Sequence, residues 1–312
     1  MSDSILITGA AGYIGSKLAA RLSKQMTVIG VDIRVPDDAH CKILQCDIRD
    51  AKLADIVTGE QITHVVHLAS VLESRGDVEL DYDIDVNGTR NVIEACLKGG
   101  VEHLTVTSSG AAYGYHADNP EWIDEHDPLR GNPEFAYSLH KTLVENYLAD
   151  MRQLHPQLKQ LVLRPGTVLG TQTRNQITNL FEKPRILAVR GSRSPFVFIW
   201  DEDILDIIDI GIRESKSGIY NLAGDGAMAI DEIAAHLGKP LVALPANLLR
   251  FALSIGHALK LTRYTPAQVN FLRYRPALSN RRLKQEFGYE PKLTSREVFE
   301  LFVKHARARG QL

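Results

Sequence analysis

The run Ile5-Leu6-Ile7-Thr8-Gly9-Ala10-Ala11-Gly12-Tyr13-Ile14-Gly15 decides how the rest of this chain is read. It begins as a short apolar strand and leads into a helix-like stretch from Ser16 to Leu22. Glycine adopts backbone angles closed to other residues. A backbone without side chains can also approach a pyrophosphate closely and set it on a helix N-terminus. The order strand, glycines, helix therefore predicts a dinucleotide-binding loop rather than a plain turn. The spacing is GxxGxxG, which differs from the GxGxxG of the usual dinucleotide fingerprint.

Outward from this loop, strand and helix signals alternate. Residues 28–31, 42–45, 64–68, 104–107 and 160–163 read as strands, and 86–97 and 135–151 as helices. Such a βαβ series implies a parallel sheet covered by helices on both faces. The expected class is α/β, a Rossmann-type doubly wound parallel sheet with a smaller, discontinuous substrate lobe. After Arg164-Pro165-Gly166 the alternation weakens, and 166–195 reads as loop-heavy. A strand at 196–199, a helix at 202–213 and a strand at 219–222 follow, and 228–312 is mostly helical. The expected division is a dinucleotide domain at 1–165, rejoined by about 196–225, and a substrate lobe from 166–195 and 226–312.

The composition is that of a globular protein: 312 residues, 44% hydrophobic, 24% charged, net charge −2. Nothing in that balance calls for nucleic acid or a membrane partner. Cys41, Cys46 and Cys96 show no metal-ligand spacing, so no metal is expected, and reduced thiols suit a cytoplasmic location. No leader is read in Met1-Ser2-Asp3. The greasiest window, 248–261, is interrupted by Arg250, His257 and Lys260 and is too short to span a bilayer. It reads first as a packed amphipathic helix. A lid over an apolar substrate or a membrane-surface helix are the alternatives.

Asp32 ends the second strand. A carboxylate there accepts ribose hydroxyls and repels a 2′-phosphate, which favours NAD over NADP. Arg34 beside it pulls the other way. Asp47 and Ile48 follow the third strand, where the acid could hold an adenine amino group. Leu68, Ala69 and Ser70 end the fourth, at the carboxyl edge where open parallel sheets bind ligands.

Tyr137 and Lys141 stand one turn apart on a predicted helix and so share a face. A tyrosine of pKa about 10 is a poor base at neutral pH. A neighbouring ammonium and the positive nicotinamide of oxidised cofactor favour its phenolate. Tyr137 could then take a proton from a substrate alcohol while hydride leaves. Upstream, Thr107, Ser108 and Ser109 open from a strand into the same edge. A hydroxyl there can hydrogen-bond a substrate oxygen as it becomes a carbonyl.

Together these residues resemble the extended short-chain dehydrogenase/reductase family, in its NAD-dependent epimerase/dehydratase branch. The resemblance spans nearly the whole chain. Asn87-Gly88-Thr89, Tyr113-Gly114, Arg164-Pro165-Gly166, Tyr220-Asn221-Leu222 and Phe287-Gly288-Tyr289-x-Pro291 extend it. It implies Ser109, Tyr137 and Lys141 as the catalytic set. It implies cofactor contacts from Gly9, Gly12, Tyr13, Ile14, Gly15, Asp32, Arg34, Asp47, Ile48, Leu68, Ala69, Ser70, Asn87, Thr107, Tyr137, Lys141 and Pro165. It also implies a homodimer through helices near 88–98 and 137–151. Related dehydratases carry an Asp-Glu pair after the catalytic serine; Gly110 and Ala111 stand here and cannot move a proton.

The chain departs from the branch at Phe196 and Trp200, where sugar-nucleotide enzymes carry an Arg followed by a His-Val pair. Substrate contacts are expected from Ser108 and Ser109, with Arg193, Arg273 and Arg275 as candidates to hold a diphosphate. A sugar-nucleotide epimerase is the first reading. A dehydrogenase or reductase of a less charged alcohol, hydroxysteroid-dehydrogenase-like, is the second, since the apolar run Phe196-Val197-Phe198-Ile199-Trp200 suits a less charged substrate. A non-catalytic dinucleotide-binding protein is the third.

Overall fold

The computed structural model describes residues 3–72, 76–262 and 265–312. Strand β1 (Ser4–Thr8) is buried throughout. Its side chains alternate between two cores, Ile5 and Ile7 in one and Leu6 in the other, as the two-residue period of a strand requires. Helix α1 (Tyr13–Leu22) leads to β2 (Thr27–Asp32) and β3 (Lys42–Gln45). Helix α2 (Lys52–Gly59), β4 (His64–His67), α3 (Val78–Tyr82) and α4 (Gly88–Gly99) follow. Then come β5 (His103–Thr107), α5 (Ala136–Leu154) and β6 (Lys159–Pro165).

Beyond β6 the chain forms β7 (Thr167–Leu169), α6 (Gln176–Glu182), β8 (Ile186–Val189) and β9 (Phe198–Trp200). Helix α7 (Asp201–Arg213) and β10 (Gly218–Leu222) return it to the sheet. The remainder is α8 (Ile230–Leu237), β11 (Leu241–Leu244), α9 (Ala246–Ala258), α10 (Gln268–Arg273) and α11 (Ser295–Ala308).

Seven parallel strands lie in the order β3-β2-β1-β4-β5-β6-β10. One face carries apolar residues of α1 and α7, including Leu18, Leu22, Ile204 and Ile208. The other carries those of α2, α4 and α5, including Leu53, Val92 and Leu148. Strand order reverses between β1 and β4, and ligands bind at the carboxyl end of such a switch point. The register sets Thr8 opposite both Val31 and His67, so the glycine loop opens beside Asp32 and Leu68.

The stretch 166–195, expected to be loop-heavy, contains β7, α6 and β8. The strand expected at 196–199 is β9, and it pairs with β7 rather than joining the large sheet. Phe196, Phe198 and Trp200 pack in a third core with Phe181, Phe299 and Phe302. The apolar run is therefore wall and core of the second lobe. Of these three only Phe196 reaches the cleft; Phe198 and Trp200 do not line it.

Candidate functional site

A cleft of about 1550 Å³ runs along the carboxyl ends of the strands, from the glycine loop into the second lobe. Its first wall is backbone. Gly9 has φ +71°, and a Cβ on Gly15 would stand 2.2 Å from the Gly9 carbonyl oxygen, so the loop closes only without those side chains. Gly12 lends no side-chain cap to α1, which leaves the helix N-terminus to an anion. The Ala11 N–H donates to Asp32 Oδ2 at 3.0 Å, and the Arg34 N–H donates to Asp32 Oδ1 at 3.1 Å. The carboxylate is thereby fixed at the lip of the cleft.

Gly9, Gly12, Tyr13, Ile14, Gly15, Asp32, Arg34, Asp47, Ile48, Leu68, Ala69, Ser70, Thr107 and Pro165 all line this cleft. Asn87 does not. It is exposed at the end of a wide helical turn, where its amide donates to Asp83 at 2.9 Å and accepts from Arg90; the isoleucine three residues before it, Ile84, lines the cleft instead. Asp47 receives Arg49 Nε and Nη2 at 3.0 and 2.7 Å, and this guanidinium holds its carboxyl below the usual range. Ser70 gives its hydroxyl to Asp85 at 2.8 Å.

Ser109, Tyr137 and Lys141 come together where β5 ends and α5 begins. Burial pushes the Tyr137 phenol up to about 12, against the Ser109 hydroxyl, which hydrogen-bonds it and pulls it down. Lys141 Nζ sits 5.6 Å from the centre of the Tyr137 ring and donates to the Thr107 carbonyl at 3.2 Å. The ammonium thus lies over the ring, while the Asp85 charge adds to burial in raising the phenol. Burial also lowers Lys141, while Asp85 and Glu145 act to keep its charge. Asp85 is itself fixed by Ser70, the Val71 N–H at 2.8 Å and His140 Nδ1 at 3.1 Å.

Ser108 also lines the cleft, but its hydroxyl is engaged elsewhere. Its hydroxyl donates to Glu145 at 2.5 Å, because neighbouring residues at a strand end point to opposite sides. Glu145 also receives Arg164, through Nε at 2.9 Å and Nη2 at 2.6 Å. Arg164 Nη1 donates to the Tyr113 hydroxyl at 2.6 Å, and Tyr113 donates to Asn221 at 2.9 Å. This buried chain ties α5, β6 and β10 beneath the edge of the cleft. It accounts for three motifs of the sequence, at Tyr113, Arg164 and Asn221, to which spacing assigned no role.

Of the three candidate arginines only Arg275 lines the cleft. Arg193 is exposed, and Arg273 turns back over the Tyr274 ring at 4.6 Å. The Arg275 guanidinium carbon lies 4.1 Å from the Phe196 ring centre and 4.2 Å from that of Phe271. Its Nε and Nη2 are buried with no hydrogen-bond partner among the described residues. Burial lowers it to about 10, so it remains a cation at neutral pH. A buried guanidinium with donors unpaired is a place for an anion. Sequence reasoning missed the rings around it: Tyr115, Phe135 and Phe271 line the cleft there, with the ring centres of Tyr115 and Phe271 4.9 Å apart. No motif marks them.

The site fits a dinucleotide: a turn that a Cβ would fill, an uncapped helix N-terminus and a fixed carboxylate. The chain belongs to the NAD dependent epimerase/dehydratase family, which matches residues 5–222. The N-acetyl-alpha-D-glucosaminyl-diphospho-ditrans,octacis-undecaprenol 4-epimerase of Escherichia coli O157:H7 is 25% identical over 248 residues, 77% of this chain and 73% of that one. The Bordetella bronchiseptica enzyme WbmG, solved with NAD and UDP, has a TM-score of 0.77 at 22% identity, covering 98% of this chain and 94% of that one. The UDP-glucose 4-epimerase of Thermus thermophilus, solved with NAD, has a TM-score of 0.74 at 24% identity, covering 97% and 99%. These two structures share the fold of this chain.

Proposed function

We propose that this family member is an NAD-dependent sugar-nucleotide epimerase acting by transient oxidation of one substrate hydroxyl. The observation that carries the reading is Arg275, a half-buried arginine with two buried, unpaired nitrogens in the same cleft as Ser109, Tyr137 and Lys141. A diphosphate is the anion whose oxygens suit such a planar donor.

Gly9, Gly12, Gly15, Asp32 and Lys141 would hold NAD, which when bound supplies a hydride acceptor that can later return the hydride. Tyr137, as the phenolate that Lys141 and the positive ring of bound oxidised cofactor would favour, takes the proton of the substrate hydroxyl as the C–H bond breaks. Ser109 donates a hydrogen bond to that oxygen as it becomes a ketone, where its charge is greatest. Arg275 keeps the diphosphate fixed while the sugar turns its other face. Tyr137 then gives the proton back to the oxygen, and the inverted alcohol leaves with no net redox change. Gly110 and Ala111 offer no group to remove water, so dehydration is not part of the cycle. A homodimer through α4 and α5 remains part of this reading.

The relative from Escherichia coli is named for a diphosphate carried on an undecaprenol, and Arg275 suits either kind of diphosphate. A second reading rests on the apolar far end of the cleft, lined by Leu249, Leu253 and Leu272: a dehydrogenase of an apolar alcohol, which would release NADH. A panel of UDP- and dTDP-hexoses, assayed for inversion with NAD present, separates the two. Inversion without NADH accumulation is expected. If none of the panel turns over or raises the melting temperature, the substrate assignment is wrong, and net NADH from an apolar alcohol would replace it.

A further inference from the structure

Helix α9 is apolar on two faces. Leu249 and Leu253 line the cleft from inside. On the outside Leu248, Phe251, Ile255 and Leu259 recur three, four and four residues apart, one stripe of a helix. They are 51%, 64%, 45% and 63% exposed, and Leu261 beyond them is 79% exposed. Scattered single apolar residues on a surface need no explanation, but a contiguous stripe does.

The charge around the stripe is one-sided. Between Ile233 and Asn280 the sequence has six Lys or Arg and no Asp or Glu, in a chain whose totals are 36 and 38. Arg250, His257 and Lys260 lie on α9 or directly after it. On the rim of the cleft, exposed Leu187 of β8 stands near Lys183 and Arg185 in sequence, and all three line the opening. A net charge of −2 hides this local excess.

We propose that α9 is an in-plane docking helix that seats the open end of the cleft on an anionic phospholipid surface. An apolar stripe with basic residues around it is the composition that lies in a lipid interface. Thirteen residues make about 20 Å of helix, which suits lying in the plane and not crossing it. No helix among the described residues is long and apolar enough to cross a membrane. A second copy of the chain fits less well, since it would set one basic surface against another. Nucleic acid would leave the stripe unused. The proposal stands apart from the reaction assigned above.

The test is co-sedimentation of the full chain with vesicles, either phosphatidylglycerol mixed into phosphatidylcholine or phosphatidylcholine alone. The mixed vesicles should bind at least about tenfold more protein, and added salt should weaken that binding. The Phe251→Glu/Leu259→Glu variant should lose about tenfold or more of it while still binding NAD, which checks its fold. Phe251→Trp should keep binding, and its emission should move to the blue on adding the anionic vesicles. Three results overturn the proposal: no binding by the parent chain, equal binding by the glutamate variant, or a dimer that Phe251→Glu dissolves without any lipid binding. Turnover of soluble sugar nucleotides is read separately, so failure here leaves the epimerase reading standing.

Discussion

The two ends of the cleft are built to meet negative charge with different materials. At the glycine loop the donors are main-chain N–H groups and a helix N-terminus, and the one carboxylate, Asp32, is itself held by two backbone N–H groups. In the second lobe a donor is a side chain, Arg275, sandwiched between Phe196 and Phe271. The first end depends on what is missing, because a Cβ at Gly15 has no room. The second depends on what surrounds it, because two rings keep water from a planar cation. A main-chain site is therefore broken by adding atoms, and a side-chain site by removing them.

That contrast can be broken in four places. Tyr137→Phe should lower turnover by roughly 10²- to 10⁴-fold and leave titrations of NAD and of the sugar diphosphate nearly unchanged. Turnover close to the parent's would remove Tyr137 from the acid/base role. Arg275→Leu should raise the KM for the sugar diphosphate by about 30- to 100-fold, the worth of about 2–3 kcal/mol of charged hydrogen bonds, with NAD affinity intact. Arg275→Lys should restore little of it, since an ammonium is not planar.

Gly15→Ala works from the other end. Calorimetric titration should show NAD binding weakened about tenfold or more by the strained turn, while stabilisation by the sugar diphosphate persists. Were both ligands lost together, the two ends would not be independent. The smallest effect is expected of Asp32→Ala: NAD binding weaker by a few-fold, about 1 kcal/mol, with some gain of NADP. Unchanged preference between the two cofactors would pass that role to Arg34.

The cofactor end was legible because its signals are short. Gly9 to Gly15, Asp32 at a strand end, and Tyr137 with Lys141 one turn apart are read from local periods, and Gly9, Gly12, Gly15, Asp32, Tyr137 and Lys141 all line the cleft. Ser108 and Ser109 both line the cleft, but their hydroxyls have different partners. Both follow one strand end, and the Ser108 hydroxyl is taken by Glu145 of α5, 37 residues away. Asn87 stands exposed at the end of the widened turn Asp83–Asn87, outside the cleft lining, and spacing carries no azimuth. The Phe196 to Trp200 run suggested a less charged substrate, yet Phe196 faces a guanidinium and Trp200 lies in the core beside His305.

By itself the sequence determined the α/β order, the loop, the acid at the end of β2 and the face shared by Tyr137 and Lys141, because backbone geometry repeats over a few residues and composition follows it. Only the tertiary structure distinguished Arg275 from Arg193 and Arg273, and only it left the outer stripe of α9 bare. Desolvation and exposure are properties of enclosure. They arise when residues such as 196, 271 and 275 close on one another, and no local spacing records which of them will.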